Sequence, residues 1–530
     1  MSQRFLRQLG LVDQSRLANL RILVSGTADG VADLVVMLQQ LGAASQRGQL
    51  GLIVEGEDSP TSIFWQLAHP KLTTIEALTF EKSHSILWQP AIDNLDKWDV
   101  HLSLNGSKVS EHPITIYGQA SGPRAILALD PIGPPTQRLS RDVVVNHPLT
   151  PSMRVACAAA MAERMLDELQ LRTAVVVSDA WITVTCRVET TDLDEALALV
   201  HSKSGMPVIM TPTSDGLATL ARTRLPYPSP FNPFDHLNIE RTTPEHLPRI
   251  VDLGLLPWDS EEHDLDQTFD IPAQSMAMLG VGGLGSWSAP LLVEQMNDGE
   301  LHVVDGDASI EVHNLNRQVL YNEAHVGQAK AEIAAWQLST LNRKINIRPY
   351  NEFLYPFHVE ESLAANGMAN IENLDCFDLN EGEPPSMLPV ALSEATVFFG
   401  CLDNMRARTL LNEAALRHGR VMVNGGSESV HAIVERLSDE EGCMSCRYGK
   451  DVAYQEEVIS CTEEGARPVA SVVTTTAWAG AMMAIYGLIE ASQVFQQVPL
   501  PRLQWHQGQV QRTVVASKPP WMNEPCLCHI

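Results

Sequence analysis

An α/β protein with two doubly wound, parallel-sheet folds in one chain is what this sequence predicts, on three observations. First, MAMLGVGGLGS, from Met276 to Ser286, is an apolar run ending in Gly280, Gly282, Gly283 and Gly285, followed by an apolar helical pattern. That reads as strand, tight turn and helix. Glycine lets the backbone bend sharply and lets phosphate oxygens approach the amides. Second, LRILVSGTADGVADLVVMLQQLG near the start repeats the same order of elements. Third, PSMRVACAAAMAERMLDEL from Pro151 is echoed by RPVASVVTTTAWAGAMMAIYGLIE from Arg467. Each has a proline, small residues, and apolar positions at i, i+3 and i+4. A fixed order repeated along a chain is the mark of internal duplication.

In the first copy, Leu20 to Val24 predict a strand, Gly26 to Gly30 a turn and Val31 to Leu41 a helix. The turn supplies only two glycines, and Asp29 sets a negative charge where a phosphate would sit. Glu55 follows the next strand, LGLIVEGE, near the position of a ribose carboxylate. This copy, residues 1–189, is expected to have lost its nucleotide chemistry. Residues 190–266 form a connecting subdomain, with LDEALALVHSKSG as a helix and LPYPSPFNPFDH as a loop. Residues 267–530 are the second copy, expected to be the active one.

In the second copy, LHVVDGD places Asp305 at the end of a strand about 20 residues past the glycines, where a carboxylate holds ribose hydroxyls. Asp307 follows it. The span from Gly327 to Asn342 predicts a helix and INIRPYNEF a strand; residues 351–394 read as an irregular acidic insertion. ATVFFGCLD, Ala395 to Asp403, predicts a buried parallel strand because it is almost continuously apolar. NMRARTLLNEAALRHG is a helix stopped at Gly419, and RVMVNGG the next strand.

Composition narrows the function. The chain has 530 residues, 45% of them apolar, and a formal charge of −27. An acidic surface repels nucleic-acid backbones and anionic membranes alike. No apolar run approaches the roughly 18 residues of a membrane span, and the first residues lack a signal-peptide pattern, so a cytoplasmic protein is expected. Nine cysteines is an odd number, and four of them crowd into two short motifs, which favours metal or catalytic roles over disulfides.

Three clusters carry chemistry. Taken alone, the glycine turn fits a nicotinamide or flavin enzyme equally well. But NLNRQ (Asn314 to Gln318, with Arg317) and Lys330 supply cations for phosphates, and Asp403 in CLDN, beside Asn404, is a carboxylate able to hold Mg²⁺ with phosphate oxygens. Together these point to ATP; singly each reads as a surface charge. Cys443 and Cys446 form C-x-x-C, and Cys526 and Cys528 form C-x-C beside His529. Four thiolates suit tetrahedral Zn²⁺, with a redox pair as the alternative. Cys461 precedes a helix rich in Ser and Thr at its start, a setting that favours thiolate; the alternative is a buried, inert thiol. Cys157, Cys186, Cys376 and Cys401 read as packing residues.

The run GVGGLGS, VVDGD, NLNRQ, VGQAKAE and CLDN resembles the adenylation domain shared by ubiquitin-activating enzymes and the ThiF- and MoeB-type activators of sulfur-carrier proteins, over roughly residues 273 to 500. The resemblance implies two adenylation folds forming a pseudo-dimer, inactive N-terminal and active C-terminal. It implies that Asp305 holds the ribose, that Asn314, Arg317, Gln318 and Lys330 contact phosphates, and that Asp403 holds Mg²⁺. RFLRQ resembles the opening of these enzymes, so Arg7 is expected to reach into the other half's site; otherwise Arg4 and Arg7 sit on an exposed helix. The cysteine pairs resemble the family's structural zinc site, with Cys528 or His529 as fourth ligand. Cys461 matches the catalytic cysteine that accepts a ubiquitin-fold C-terminus as a thioester. Two departures are HN for SN before LNRQ and a spacing from Asp305 to Arg317 one residue longer than in sulfur-carrier activators. The implied activity is ATP-dependent activation of a ubiquitin-like protein for hand-over to a conjugating enzyme, as in Bil-type antiphage systems. The alternatives are a sulfur-carrier or peptide adenylyltransferase and a non-catalytic ATP-sensing scaffold. The paired halves leave room for a monomer.

Overall fold

The structure, a computed structural model, describes residues 3–8, 11–81, 85–88, 97–106, 112, 114–129, 146–172, 181–188, 208–212, 219–226, 250–258, 260–261, 263–365, 386–448, 471–492, 500–506 and 508–513. In the first half, β1 (Arg21–Gly26), β2 (Gln49–Val54), β3 (Ile86–Trp88), β4 (Val100–Leu104), β5 (Thr115–Ser121) and β6 (Arg124–Leu129) share one sheet in the order 3-2-1-4-5-6. The strands from β3 to β5 run parallel, and β6 turns back antiparallel. Helix α1 (Ala28–Leu41) follows β1, and α2 (Thr150–Glu168) closes this half.

The second half repeats this arrangement. Strands β11 (Gln274–Leu279), β12 (Gly299–Val304), β13 (Ile345–Tyr350), β14 (Val397–Gly400), β15 (Val421–Glu428) and β16 (His431–Leu437) lie in the order 13-12-11-14-15-16. Again the strands from β13 to β15 are parallel and β16 is antiparallel. Strands β17 (Arg502–His506) and β18 (Gln509–Thr513) extend the far edge; the first sheet adds β10 (Ile250–Asp252) at the matching edge. Both halves are Rossmann-like α/β sheets with one topology, as the repeated sequence pattern predicts. Among the described residues, β7 (Trp181–Val188), β8 (Val208–Pro212) and β9 (Thr219–Pro226) form a separate antiparallel sheet. The helix predicted from LDEALALVHSKSG lies outside the described residues.

In the second half, helix α3 (Gly285–Gln295) follows β11, α4 (Lys330–Leu341) precedes β13, and α5 (Met405–Arg417) follows β14. Helix α6 (Val473–Ser492) is the counterpart of α2, and the two pack against each other. Both helices are rich in buried small side chains: Ala156, Ala158, Ala159 and Ala160 on one, Ala477, Ala479 and Ala481 on the other. Gly480 allows α6 to close on α3, where an added Cβ would stand 2.6 Å from the Leu284 carbonyl oxygen. A single contiguous apolar core therefore runs through both halves. The rings of Phe64 and Trp287 meet across it at 4.7 Å. Among the described residues no helix is long and apolar enough to cross a membrane.

Part of the predicted acidic insertion is ordered instead. Helices Pro356–Ala365 and Leu388–Glu394 lie in it because each buries an apolar stripe: Val359 and Leu363 on the first, Leu388, Ala391 and Leu392 on the second. Glu360 and Glu361 interrupt the apolar pattern of the first helix, and the second, seven residues long, is too short to show a periodicity.

Charge is also buried between the halves. Arg154 of α2 pairs with Asp33 of α1 and, at 3.5 Å, with Asp29. Glu294 of α3 lies in the field of the same arginine, yet its Oε2 is buried without a hydrogen-bond partner. Burial, with Asp33 and Asp29 adding to it and Arg154 opposing it, pushes Glu294 up to about 7. A carboxyl raised on folding binds more protons folded than unfolded, so stability declines as pH rises from its ordinary value toward 7. Glu294→Gln is expected to raise the Tm at pH 8 and leave it unchanged at pH 4.5; an equal shift at both pH values would exclude this assignment.

Candidate active site

The strand order of the second sheet reverses between β11 and β14, and ligands in such sheets bind beyond the C-terminal strand ends at that point. The predicted glycine turn lies there. Gly280 has φ of +90°, and a Cβ on it would stand 2.5 Å from the Cys401 carbonyl oxygen beyond β14. A Cβ on Gly285 would stand 2.1 Å from the Gly280 oxygen. These two glycines are demanded by the fold itself. Gly282 is different: a Cβ there would meet only the Gln318 amide nitrogen, at 3.5 Å. Gly283 faces Thr476 at 3.1 Å and the Arg317 guanidinium at 3.9 Å. The exposed side of the turn is thus an open cradle rimmed by Gln318, Arg317 and the first turn of α6.

Asp305 lies directly beyond β12. Its Oδ2 accepts the Val281 amide at 2.8 Å and its Oδ1 the Asp307 amide at 3.0 Å. Burial raises its pKa, with Lys330 opposing. Each oxygen keeps a lone pair for a ligand hydroxyl. Lys330, buried at the start of α4, pairs with Asp307. The cation predicted for phosphates is therefore held in an ion pair with Asp307, two residues along the chain from the carboxylate predicted to hold ribose. The Arg317 guanidinium donates to the His313 carbonyl at 2.9 Å and the Asn316 side chain at 3.1 Å. Trp287 donates its indole N–H to the Arg317 carbonyl at 2.8 Å, fixing this segment on α3. Gln318 is buried, with its Oε1 unpaired within the protein. Asn314 is also buried, but its Oδ1 caps its own turn by accepting the Glu311 amide at 2.9 Å.

Asp403 is exposed on the loop after β14, two residues beyond the Cys401 that touches the glycine turn. Asn404 caps α5 through the Ala407 amide at 2.7 Å. Sequence reasoning missed the residue that holds this loop, Arg408, whose buried guanidinium donates to the Leu402 carbonyl at 2.9 Å. It also missed Tyr321, whose hydroxyl donates to the Val281 carbonyl in the glycine turn at 2.9 Å. Its place three residues after Gln318 was the available signal.

Arg7 belongs to the opening 3-10 helix, Gln3–Gln8. That helix packs against the turn Val312–Asn314 of the second half. Arg4 links the halves, donating to Gln40 at 3.3 Å while lying in the field of Glu323. The backbone of Arg7 is thereby carried to the edge of the NLNRQ segment. Cys443 and Cys446 are buried with sulfurs 3.6 Å apart, close enough to share one tetrahedral ion. Cys526, Cys528, His529 and Cys461 lie outside the described residues. Cys157 and Cys401 are buried, and burial pushes each thiol up to about 12, as expected of packing residues.

A cavity of about 420 Å³ lies at the opposite, N-terminal ends of β11 and β12, lined by Ser275, Glu300, Arg348 and Glu394 among others. Glu300, His302 and Glu394 come within 4.8 Å of one another there. Glu300 is engaged by Arg348 and Asn346, and the His302 ring lies against Ser275 and Tyr350. This cluster is remote from the glycine turn and belongs to the sheet edge.

A glycine turn open on one side, a buried carboxylate and flanking cations thus meet at this switch point. Residues 261–514 match the model of the ThiF family. Over 197 residues the chain is 30% identical to adenylyltransferase and sulfurtransferase MOCS3 of Bos taurus, covering 36% of this chain and 39% of that protein. Over 182 residues it is 28% identical to ubiquitin-like modifier-activating enzyme 5 of Dictyostelium discoideum, covering 32% and 41%. The matched stretch spans less than half the length of these curated relatives. E. coli MccB solved with ATP is 19% identical over 47% of this chain and 65% of its own, with a TM-score of 0.33.

The open and closed glycines make contrasting predictions. Gly285→Ala forces a backbone clash and is expected to cost about 1–3 kcal/mol, seen as a lowered Tm. Gly282→Ala is expected to leave the Tm unchanged and weaken ATP binding about tenfold by calorimetry, since its Cβ enters the cradle. ATP binding unchanged in Gly282→Ala would remove the turn from the site.

Proposed function

We propose that the chain activates a ubiquitin-like protein: it adenylates that protein's C-terminal carboxylate with ATP and receives it on Cys461. The observation that carries this reading is the open cradle at Gly282, rimmed by Gln318, Arg317 and α6, in a stretch that matches the model of the ThiF family. The partner's carboxylate oxygen attacks the α-phosphorus, the bond to the β-phosphate oxygen breaks, and pyrophosphate leaves. The Cys461 thiolate then attacks the acyl carbon and expels AMP, leaving a thioester that a conjugating enzyme takes by thiol exchange. The helix following Cys461 begins with Thr474, Thr475 and Thr476, and Thr476 already borders the turn. Asp305 holds the ribose, while Gln318, Arg317 and Lys330 hold phosphate oxygens, with Asn314 shaping that segment. Asp403 and Asn404 would hold Mg²⁺, which when bound neutralises phosphate charge. Cys443 and Cys446, with the C-terminal thiols, would hold a structural Zn²⁺ that ties the tail down.

The first half is read as the inactive partner. Its turn has no counterpart of the open Gly282 and Gly283: Thr27, Ala28 and Asp29 stand between Gly26 and Gly30. Asp29 accepts the Thr61 and Ser62 amides at 2.6 and 2.9 Å, so its carboxylate, not a phosphate, collects the local donors. The contribution of this half is Arg7, a guanidinium offered to charge developing at the α-phosphate. The single-chain pairing of both halves is the ground for placing the protein beside the activating enzymes of Bil-type antiphage conjugation. The likeness to MOCS3 favours a second reading, adenylation of a sulfur carrier without a lasting enzyme thioester.

Incubation with a ubiquitin-like protein ending in glycine, ATP and Mg²⁺, followed by a non-reducing gel, separates these. The expected result is a thiol-sensitive adduct lost in Cys461→Ala; pyrophosphate exchange without adduct supports the second reading, and neither activity overturns both. Arg7→Ala is expected to slow exchange about 10²-fold, and Asp403→Ala to abolish it. A normal rate in Arg7→Ala would contradict the cross-half arginine.

A further inference from the structure

Phe353 stands apart from the core residues around it. It follows β13 by three residues, and the residue is 55% exposed. Gly306 follows β12 by two residues. The two strands pair in parallel with Val304 opposite Tyr350, and the Asp305 amide donates to the Tyr350 carbonyl at 3.0 Å. The segments 305–307 and 351–353 therefore leave the sheet side by side, on the same end as the glycine turn. A Cβ on Gly306 would lie 2.5 Å from the Phe353 ring carbons. The ring thus rests on the Gly306 backbone, and glycine is the residue that admits it. One of its faces meets backbone, while much of its surface is left to solvent.

The position of this ring relative to the rest of the site gives it a role. The Asp305 carboxylate is tied to the Val281 amide of the turn and adjoins Gly306 in the chain. Along the lip of the crevice the order is glycine turn, Asp305, then Phe353. A nucleotide has the same order of parts: phosphates, ribose, base. With phosphates over the turn and ribose at Asp305, the base projects past Gly306. Met387, also 55% exposed, stands near the same lip, where its neighbour Ser386 donates to Glu352 at 2.6 Å.

We propose that the exposed ring of Phe353, seated on Gly306, is the platform on which the adenine base stacks. This rests on the nucleotide reading of the site. Base–aromatic stacking tolerates any base with a π face, so the platform supplies affinity for the base and leaves the phosphates to the turn. It makes Phe353 a binding residue that acts on nucleotide affinity.

The test uses the full chain, with calorimetric titrations of ATP and of inorganic tripolyphosphate, which has no base. Phe353→Ala is expected to weaken ATP about tenfold and leave tripolyphosphate unchanged. Phe353→Trp is expected to bind ATP within about twofold of the unsubstituted chain and to add an indole emission that ATP quenches and tripolyphosphate does not. The tryptophan variant also decides the matter should Phe353→Ala fail to fold. Unweakened ATP binding in a folded Phe353→Ala, equal loss of both ligands, or an unquenched added indole would overturn the platform while leaving the nucleotide site intact. An unsubstituted chain with no affinity for ATP would overturn the nucleotide reading and the platform with it.

Discussion

The contact between α2 and α6 is the constraint on which the rest depends. Two helices of small residues approach closely enough that one apolar core serves both sheets. Close approach of this kind needs alanine and glycine, since larger side chains would hold the backbones apart. Polar groups fix its register. Glu163 of α2, fully buried, accepts the Thr474 hydroxyl at 2.6 Å and pairs with Arg172. Thr474 begins the helix that borders the glycine turn, so a residue of the first half holds one wall of the second half's site. Truncating Glu163 would leave Arg172 and Thr474 without their buried partner, which costs more than the pair contributes.

The first sheet has the topology of the second, and its turn brings Gly26 and Gly30 against Leu104 as the second brings Gly280 against Cys401. In the first half Thr27, Ala28 and Asp29 stand in place of the inner glycines, and Asp29 takes up the amides of Thr61 and Ser62. The first half packs on the second through α2 against α6, Phe64 against Trp287, and the opening helix laid on Val312–Asn314. The same division accounts for the buried charges, since Arg154 reaches from the first half toward Glu294 of the second.

Much of this was legible in the sequence because the relevant signals are local. Glycines at Gly280 and Gly285 announce a turn that no other residue fits, and the repeated helices at Pro151 and Arg467 announce the duplication. What was not legible depends on partners distant in the chain. Phe353 gains meaning only through Gly306, and Arg408 only through the carbonyl of Leu402. Asn314 has the same sequence whether it caps a turn or meets a phosphate; the structure shows it capping. Lys330 reads as a free cation until Asp307 is brought beside it. Of the two helices between residues 351 and 394, one was hidden by Glu360 and Glu361 within its apolar stripe and the other by its length of seven residues.

The central claim is an asymmetry: one half binds the nucleotide and the other supports it. Calorimetric titration of the full chain with ATP and Mg²⁺ measures this directly as a stoichiometry. The account predicts one ATP per chain, lost on Lys330→Ala and retained on Asp29→Ala. Two nucleotides per chain, or a single one that survives Lys330→Ala and vanishes in Asp29→Ala, would contradict it.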